Sequence, residues 1–445
     1  MKEEPFLPVK LFHWARSAGS RVFYGWWILL LGSLINGIGV GMMYHSFTVF
    51  FLPLKRDLGV SSAAVSLLYG SARLEGGIDG TLYGYLIDRF GSRKMILIGA
   101  SLAGTGLILL STVHSFLSFF LIYVFVVMVG SNAGFFHPVS TAVNKWFIRR
   151  RGLAFSAITA SGSIGGMIMA PLLSYIILTY GWRNGAICAG LMILTIAIPA
   201  ALPIKRSPET LGLYPDGRPP EKIEPEAVNP LCPAPTEVNF TVREALRTLP
   251  FWLLMASISL RLLVTVALNT HFVPILVWRG MGEAASAYLV SLYALISIPM
   301  TLAFGWMGDR WNKARLCSVG IIPTVAAMLG MIFFRGDASL YFFPIAFAVT
   351  MGTASLNWAL IGDFFGRTSY GTLRGIMGAG YGVATFFSPI FAGLIFDRTE
   401  SYDLVLLTFS AIFAVAATLF AILRRPTPPA RKTWRLDEME RIDRL

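Results

Sequence analysis

The stretch "GYLIDRFGSRK" at residues 84–94 has a second copy far along the chain, "GWMGDRWNKAR" at residues 305–315. Both copies are polar and basic, and each lies between two long apolar runs. The shared positions, at a constant offset, are Gly84, Asp88 and Arg89 in the first copy and Gly305, Asp309 and Arg310 in the second. A charged loop that recurs between apolar runs predicts a chain made of two similar halves.

The composition places this repeat in a membrane protein. The chain has 445 residues, of which 55% are hydrophobic and 14% charged, and its mean hydropathy is +0.65. A soluble domain is roughly one quarter charged, and a run of about 20 apolar residues is long enough to cross a bilayer. The predicted spans, numbered one to twelve, are 23–50, 63–87, 93–112, 116–143, 152–178, 184–203, 250–277, 285–307, 315–333, 340–364, 373–396 and 402–423.

A proline-rich segment divides these spans into six and six. The predicted fold is an all-α polytopic membrane protein with twelve transmembrane helices in two six-helix bundles. The predicted parts are an N-terminal segment 1–22, a first half 23–203, a linker 204–249, a second half 250–423 and a tail 424–445. The prolines of the linker are typical of a flexible connection rather than of a further folded domain.

The basic residues predict the orientation. The formal net charge is +13, and most Lys and Arg residues fall in segments that share one side of the membrane when the N-terminus is placed inside. This positive-inside pattern predicts a multi-pass protein of the cell membrane, with both termini and the linker in the cytoplasm. The basic charge therefore requires no nucleic acid as a partner.

The first loop resembles the best-known motif of the major facilitator superfamily, because Gly91, Arg93 and Lys94 complete the pattern G-x-x-x-D-R-x-G-x-R-K. The resemblance implies that family's fold and transport by alternating access, with the motif bracing the cytoplasmic side of the two halves. The residues to which it gives this gating role are Asp88, Arg89, Arg93, Asp309 and Arg310. A carboxylate at the start of a neighbouring helix is favoured by the helix dipole.

Asp363 lies nearer the cytoplasmic end of span ten and is added to the gating set. We expect it to form a network there with Arg367 or Arg374.

Three further stretches resemble the monocarboxylate and oxalate–formate branch of that family: "FYGWW" at 23–27, "WFIRRRGLAFSAITASGSIGG" at 146–166 and "SPETLGLYPDG" at 207–217. The branch implies a small organic anion as substrate. Its usual basic residues in spans eight and eleven are missing here, since residues 284–307 and 375–396 contain no Lys or Arg. The identity of the substrate is therefore not carried over.

Span two contains "YGSARLEGGIDG" at 69–80, with three ionisable residues in an apolar setting. Each unpaired charge costs about 2.5–3.5 kcal/mol at the bilayer centre. Glu75 and Asp79 lie about 40° apart on one helix face, and we predict that they couple transport to protons, together with His137 of span four. Arg73 lies on another face, so its partner is either an acid of another helix or a bound anion.

Span seven has polar residues at helical spacing, Ser257, Arg261, Thr265 and Asn269. One polar stripe on an apolar helix is expected where a helix lines a watery cavity. We predict that Arg261 binds the anion and that Arg73 assists, although Arg261 as a structural hydrogen-bond donor is an open alternative. Further substrate-binding candidates are Asn36 and Tyr44 in span one and Asn132 in span four.

No cluster of His, Cys, Asp or Glu has metal-ligand spacing, and no phosphate-binding loop is present in the sequence. We therefore predict no metal, no cofactor and no enzymatic activity. The predicted function is that of a monomeric secondary transporter for a small organic anion and protons. Two alternatives remain at this point: an exporter of amphipathic compounds by proton antiport, and a membrane sensor that does not transport.

Overall fold

The structure is a computed structural model that describes residues 23–45, 50, 53–54, 57–59, 80–217, 239–334 and 336–427. The described helices of the first half are Gly25–Val40, Gly80–Phe90, Ser92–Leu110, Phe116–Ile122, Val129–Gly134, Phe136–Trp146, Arg151–Tyr180, Trp182–Met192 and Ile198–Ala201, with π-helical turns at Gly41–His45, Tyr123–Met128 and Ile193–Ala197. Those of the second half are Val242–Leu246, Leu249–Thr270, Phe272–Trp278, Glu283–Gly308, Lys313–Phe333, Asp337–Gly352, Ala354–Phe365, Tyr370–Thr399 and Asp403–Ile422.

The all-α membrane fold is confirmed. Eleven described helices are long and apolar enough to cross a membrane, and they correspond to every predicted span except span two. Of span two the structure describes the end Gly80–Phe90. No strand occurs in the parts of the chain that are described.

Each half has its own hydrophobic core. One core is built around Ile35, Ile96 and Val143 of the first half, and the other around Ile258, Ile321 and Phe409 of the second. The second core also includes Phe155 of span five, so the two halves pack against each other there.

Spans four and ten are broken at equivalent places. Span four changes direction at Phe135, between helices ending at Gly134 and beginning at Phe136. Span ten is interrupted at Thr353, between helices ending at Gly352 and beginning at Ala354. These breaks extend the two-fold repeat of the loop motif into the interior of the protein.

The halves meet at the end of the bundle that carries the linker, which we call the linker end. Span two approaches span eleven so closely that a Cβ on Gly84 would collide with the backbone at Gly371. Span five approaches span eight in the same way, with Gly152 against Gly305 and Asp309. Small residues let helix backbones come into direct contact in a membrane. Because both of these contacts join one half to the other, the linker end is closed.

The linker is not a free tether over its whole length. Its first part, up to Gly217, contains short 3-10 turns at Pro208–Leu211 and Pro215–Gly217, and residues 239 and 240 are packed against span ten. Residues 204–217 thus contain defined turns, and the flexible connection predicted for the linker stays a prediction. Residues 218–238 lie outside the described residues.

Candidate functional site

Two carboxylates of the duplicated motif each cap a helix of the opposite half. Asp309 accepts hydrogen bonds from the backbone N–H groups of Gly152 (2.6 Å) and Leu153 (3.0 Å), in the first turn of span five. Asp88 accepts from the N–H groups of Gly371 (3.3 Å) and Thr372 (2.9 Å), in the first turn of span eleven. The first N–H groups of a helix have no partner within it, so each carboxylate joins the two halves.

The third gating carboxylate has different partners from those expected. Asp363 lies 3.2 Å from Nη1 of Arg151 in the other half and 2.7 Å from Nζ of Lys313. The expected pairing with Arg367 or Arg374 is wrong. Arg367 instead pairs with Glu209 of the linker at 2.9 Å. The name gate is used for Asp88, Asp309, Asp363 and the helix starts that they contact, after the gating role predicted for these three carboxylates.

The basic residues of the motif do not join the halves in the described parts of the chain. Arg89 donates to the Tyr85 hydroxyl at 3.1 Å, and Arg310 lies 3.8 Å from the centre of the Trp306 ring. Arg93 is exposed. A gating role for these three arginines stays a prediction.

Burial raises the pKa of Asp309 to about 6, because the loss of water outweighs the favourable contacts with the Leu153 N–H, Lys313 and the Gly152 N–H. The same cause raises the pKa of Asp88. An open gate would return Asp309 to water, where an aspartate has a pKa of about 3.9. The closed gate then binds more protons than the open one, so acid favours closure.

We therefore expect the closed fraction of the linker end to rise as the pH falls from about 7 to about 5. The charged groups around Asp309 are Lys313, Asp363 and, through Asp363, Arg151. The measurement is a spin-label distance across the linker end at several pH values. The Asp309→Asn variant should lose most of the dependence, and an opposite slope in the unmodified chain would contradict the expectation.

Deeper between the halves lies a cluster that the sequence did not reveal, which we call the inter-half cluster. It consists of Phe136, His137 and Ser140 of span four, Trp358 of span ten, and Arg374 and Tyr381 of span eleven. Arg374 is only 1% exposed. Its guanidinium lies 4.4 Å from the Phe136 ring centre and 4.6 Å from that of Trp358, and Nη1 donates to the Ser140 hydroxyl.

Arg374 has no carboxylate partner among the described residues, and its Nε has no hydrogen-bond partner there. His137 and Tyr381 are only partly buried, although they lie beside this buried cation. Sequence reasoning missed Arg374 because it stands one turn inside span eleven, where it looked like an ordinary basic residue at a helix end.

Arg261 is fully buried inside the second half. Its Nη2 donates to the Thr350 carbonyl and, at 3.1 Å, to the Thr353 hydroxyl, at the break in span ten. Its Nε and Nη1 have no partner among the described residues. In this conformation Arg261 supports the break, and substrate binding by Arg261 stays a prediction.

The other polar side chains of the span-seven stripe have hydrogen-bond partners close by. Ser257 donates to the Leu253 carbonyl and Thr265 to that of Arg261, and both side chains are buried. Asn269 is exposed and accepts from the Tyr293 hydroxyl at 2.6 Å. The described contacts thus do not bring the whole stripe to one open surface.

Of the remaining candidates, Asn36 connects span one to span five, with Nδ2 donating to the Ile158 carbonyl at 2.9 Å. Asn132 is buried in span four. The backbone of Tyr44 lies in the π-helical turn Gly41–His45, but its side chain is outside what the structure describes. Arg73, Glu75 and Asp79 lie outside the described residues, so their predicted roles stay predictions.

Two helical halves, each with its own core and in contact at one end, are the arrangement expected of a membrane transporter built from internal repeats. Residues 29–359 match the family model of the Major Facilitator Superfamily. The chain belongs to this superfamily, and it is a membrane transporter rather than an enzyme.

Similar proteins fit this assignment. The oxalate:formate antiporter of Oxalobacter formigenes is 25% identical over 425 residues, covering 92% of this chain and 93% of that protein. Monocarboxylate transporter 12 of Xenopus laevis is 23% identical over 414 residues, covering 87% of each chain. The crystal structure of FucP in the outward conformation has a TM-score of 0.66 at 13% identity, over 90% of this chain and 99% of FucP, a likeness of fold alone.

Proposed function

We propose that this protein transports a small organic anion, a carboxylate, together with protons. In this proposal it works as a monomer by alternating access in the cell membrane, with both termini and the linker in the cytoplasm. The observation that carries the anionic substrate is Arg374, a cation buried between the two halves with no carboxylate partner among the described residues.

A buried cation without a counter-charge is costly, by about 2.5–3.5 kcal/mol for an arginine at the membrane centre. The rings of Phe136 and Trp358 offset part of that cost, because the faces of aromatic rings attract cations. A substrate carboxylate would supply the counter-charge that the described residues do not provide. The planar guanidinium is suited to the two oxygens of a carboxylate, and its place between the halves would link binding to their movement.

The names of the relatives support the same substrate class, since they include an oxalate:formate antiporter and monocarboxylate transporters. Proton coupling is supported by structures of similar fold that are described as proton symporters for fucose and xylose. Within this proposal His137, next to Arg374, takes part in proton coupling with Glu75 or Asp79. Arg261 and Arg73 provide further positive charge for the anion.

The test is thermal unfolding of the purified full-length protein with lactate, benzoate, oxalate, fucose and tetraphenylphosphonium. We expect at least one carboxylate to raise the unfolding temperature, because a ligand at a hundred times its Kd stabilises by about 2.7 kcal/mol. Arg374→Gln should weaken that ligand about ten- to a hundredfold, the value of a charge-assisted hydrogen bond. Arg243→Gln, at an exposed linker-end arginine, is the matched control.

Stabilisation by tetraphenylphosphonium and by no carboxylate would contradict the organic-anion proposal and favour an exporter of amphipathic compounds. Proton coupling is tested separately in liposomes. An inward proton gradient should drive accumulation of the stabilising carboxylate, and uptake that ignores the gradient would contradict the coupling.

A further inference from the structure

Two linker residues, one in each described part of the linker, bind the loops that precede spans five and eleven. Asp216 accepts hydrogen bonds from the N–H groups of Ile148 (3.0 Å) and Arg149 (2.8 Å) in the loop 147–150. Asn239 accepts from the N–H groups of Arg367 (2.7 Å) and Thr368 (3.2 Å) in the loop 366–369. Each loop thus has two consecutive N–H groups bound by one linker oxygen.

The linker contacts and the gate contacts are separated by the same number of residues in both halves. Downstream of the pair that Asp216 holds are the N–H groups of Gly152 and Leu153, which Asp309 of the second half binds. At the same spacing after the pair that Asn239 holds are those of Gly371 and Thr372, which Asp88 of the first half binds. Each loop is therefore bound by the linker, and the helix start that follows it is bound by a motif carboxylate of the opposite half.

The linker itself is fixed on both sides. On the first half, the Lys205 carbonyl accepts from the Trp146 indole at 3.2 Å, and Arg206 donates to the Asp88 carbonyl at 2.9 Å. On the second half, the Phe240 N–H donates to the Phe365 carbonyl at 3.0 Å. Glu209 of the linker pairs with Arg367 of the second half, and Arg367 also donates to the Lys145 carbonyl in span four of the first half.

The backbone at Asp216 has a φ of 56°. A residue other than glycine in this left-handed region is uncommon and requires support from its surroundings. In this conformation the Asp216 carboxylate accepts its two hydrogen bonds from the loop 147–150.

We propose that Asp216 and Asn239 are positioning residues of the gate. By fixing the loops 147–150 and 366–369, they keep the following N–H groups aimed at Asp309 and Asp88 before the halves close. Closure then requires little further ordering of the loops, and a group that is ordered in advance binds more strongly. The linker in this way promotes closure of the linker end during alternating access, whichever substrate is transported.

The test measures the ratio of closed to open linker end in the full-length protein without substrate. Spin labels are attached at the exposed positions Lys94 and Arg315, one in each half, after replacement of the three native cysteines. We expect Asp216→Ala and Asn239→Ala each to lower the closed-to-open ratio about tenfold, the scale of two lost backbone-to-side-chain hydrogen bonds. Asp216→Asn keeps an oxygen acceptor and should stay within about twofold of the unmodified chain.

Double variants separate positioning from a general loss of structure. Asp216→Ala should have little additional effect in an Asp309→Ala background, since both act on the start of span five, and its full effect in an Asp88→Ala background. Asn239→Ala should have little additional effect in the Asp88→Ala background, since both act on the start of span eleven, and its full effect in the Asp309→Ala background. Asp397→Ala, at an exposed residue on the far end of span eleven, is the control.

Unchanged ratios in both alanine variants would overturn the proposal, and so would effects of equal size in the two backgrounds. If Asp216→Ala does not fold, Asp216→Ser takes its place with the same expected pattern across backgrounds. Because no substrate is present, these results stand apart from the organic-anion proposal.

Discussion

Asp363→Asn should destabilise the protein by about 3–5 kcal/mol, the usual cost of removing one partner from a buried ion pair. The carboxylate lies between Arg151 and Lys313, and the three side chains are 9%, 3% and 10% exposed. Without it, two largely buried cations lose the carboxylate that they share. The measurement is the free energy of unfolding of the purified protein in detergent.

Two further variants test that reason. Lys313→Met in the Asp363→Asn background should recover part of the stability, because one of the two cations that lost the Asp363 carboxylate is then gone. Asp397→Asn, at an exposed aspartate, should leave stability unchanged. A loss of less than about 1 kcal/mol in Asp363→Asn, the range of an exposed pair, would show that water reaches this site.

Gly84→Ala should prevent the linker end from closing. The new Cβ would collide with the backbone of Gly371, and backbone atoms cannot rotate away as a flexible side chain does. A cost above about 3 kcal/mol, at the upper end for overpacking, corresponds to a more than hundredfold loss of the closed state. Transport should fall by a similar factor, because alternating access needs both states.

The measurement combines the distance between labels at positions 94 and 315 with uptake into liposomes. Gly330→Ala is the matched control, since a Cβ at Gly330 in span nine meets nothing within 4 Å. Normal closure and uptake in Gly84→Ala would mean that spans two and eleven do not need this close approach.

The architecture was readable from the sequence because it depends on properties that are local and repeated. Apolar runs of bilayer length predict spans wherever their neighbours lie, and all the predicted spans that are described became helices. The resemblance of the loop to the superfamily motif implied that Asp88 and Asp309 brace the two halves, and both carboxylates bind N–H groups at helix starts across the halves. A helix dipole attracts a carboxylate in any fold, so this prediction needed no packing detail.

The partners of buried charges were decided only by the tertiary structure. Helical spacing told which residues of span seven share a face, but not that the Arg261 side chain ends at the break of span ten. Residue depth placed Arg374 with the basic residues at the cytoplasmic end, whereas spans four and ten enclose it with aromatic rings. Asp363 likewise has Arg151 and Lys313 as partners rather than its sequence neighbours.

For the linker, too, composition predicted some features, and only the tertiary structure decided others. Its prolines predicted irregular structure, and the segment up to Gly217 indeed has only short turns. That its oxygens hold the loops of the gate could not be read from composition, because such contacts join residues far apart in the chain. Periodicity and composition report on one segment at a time, while a hydrogen bond or an ion pair depends on which segments the fold brings within about 3 Å of each other.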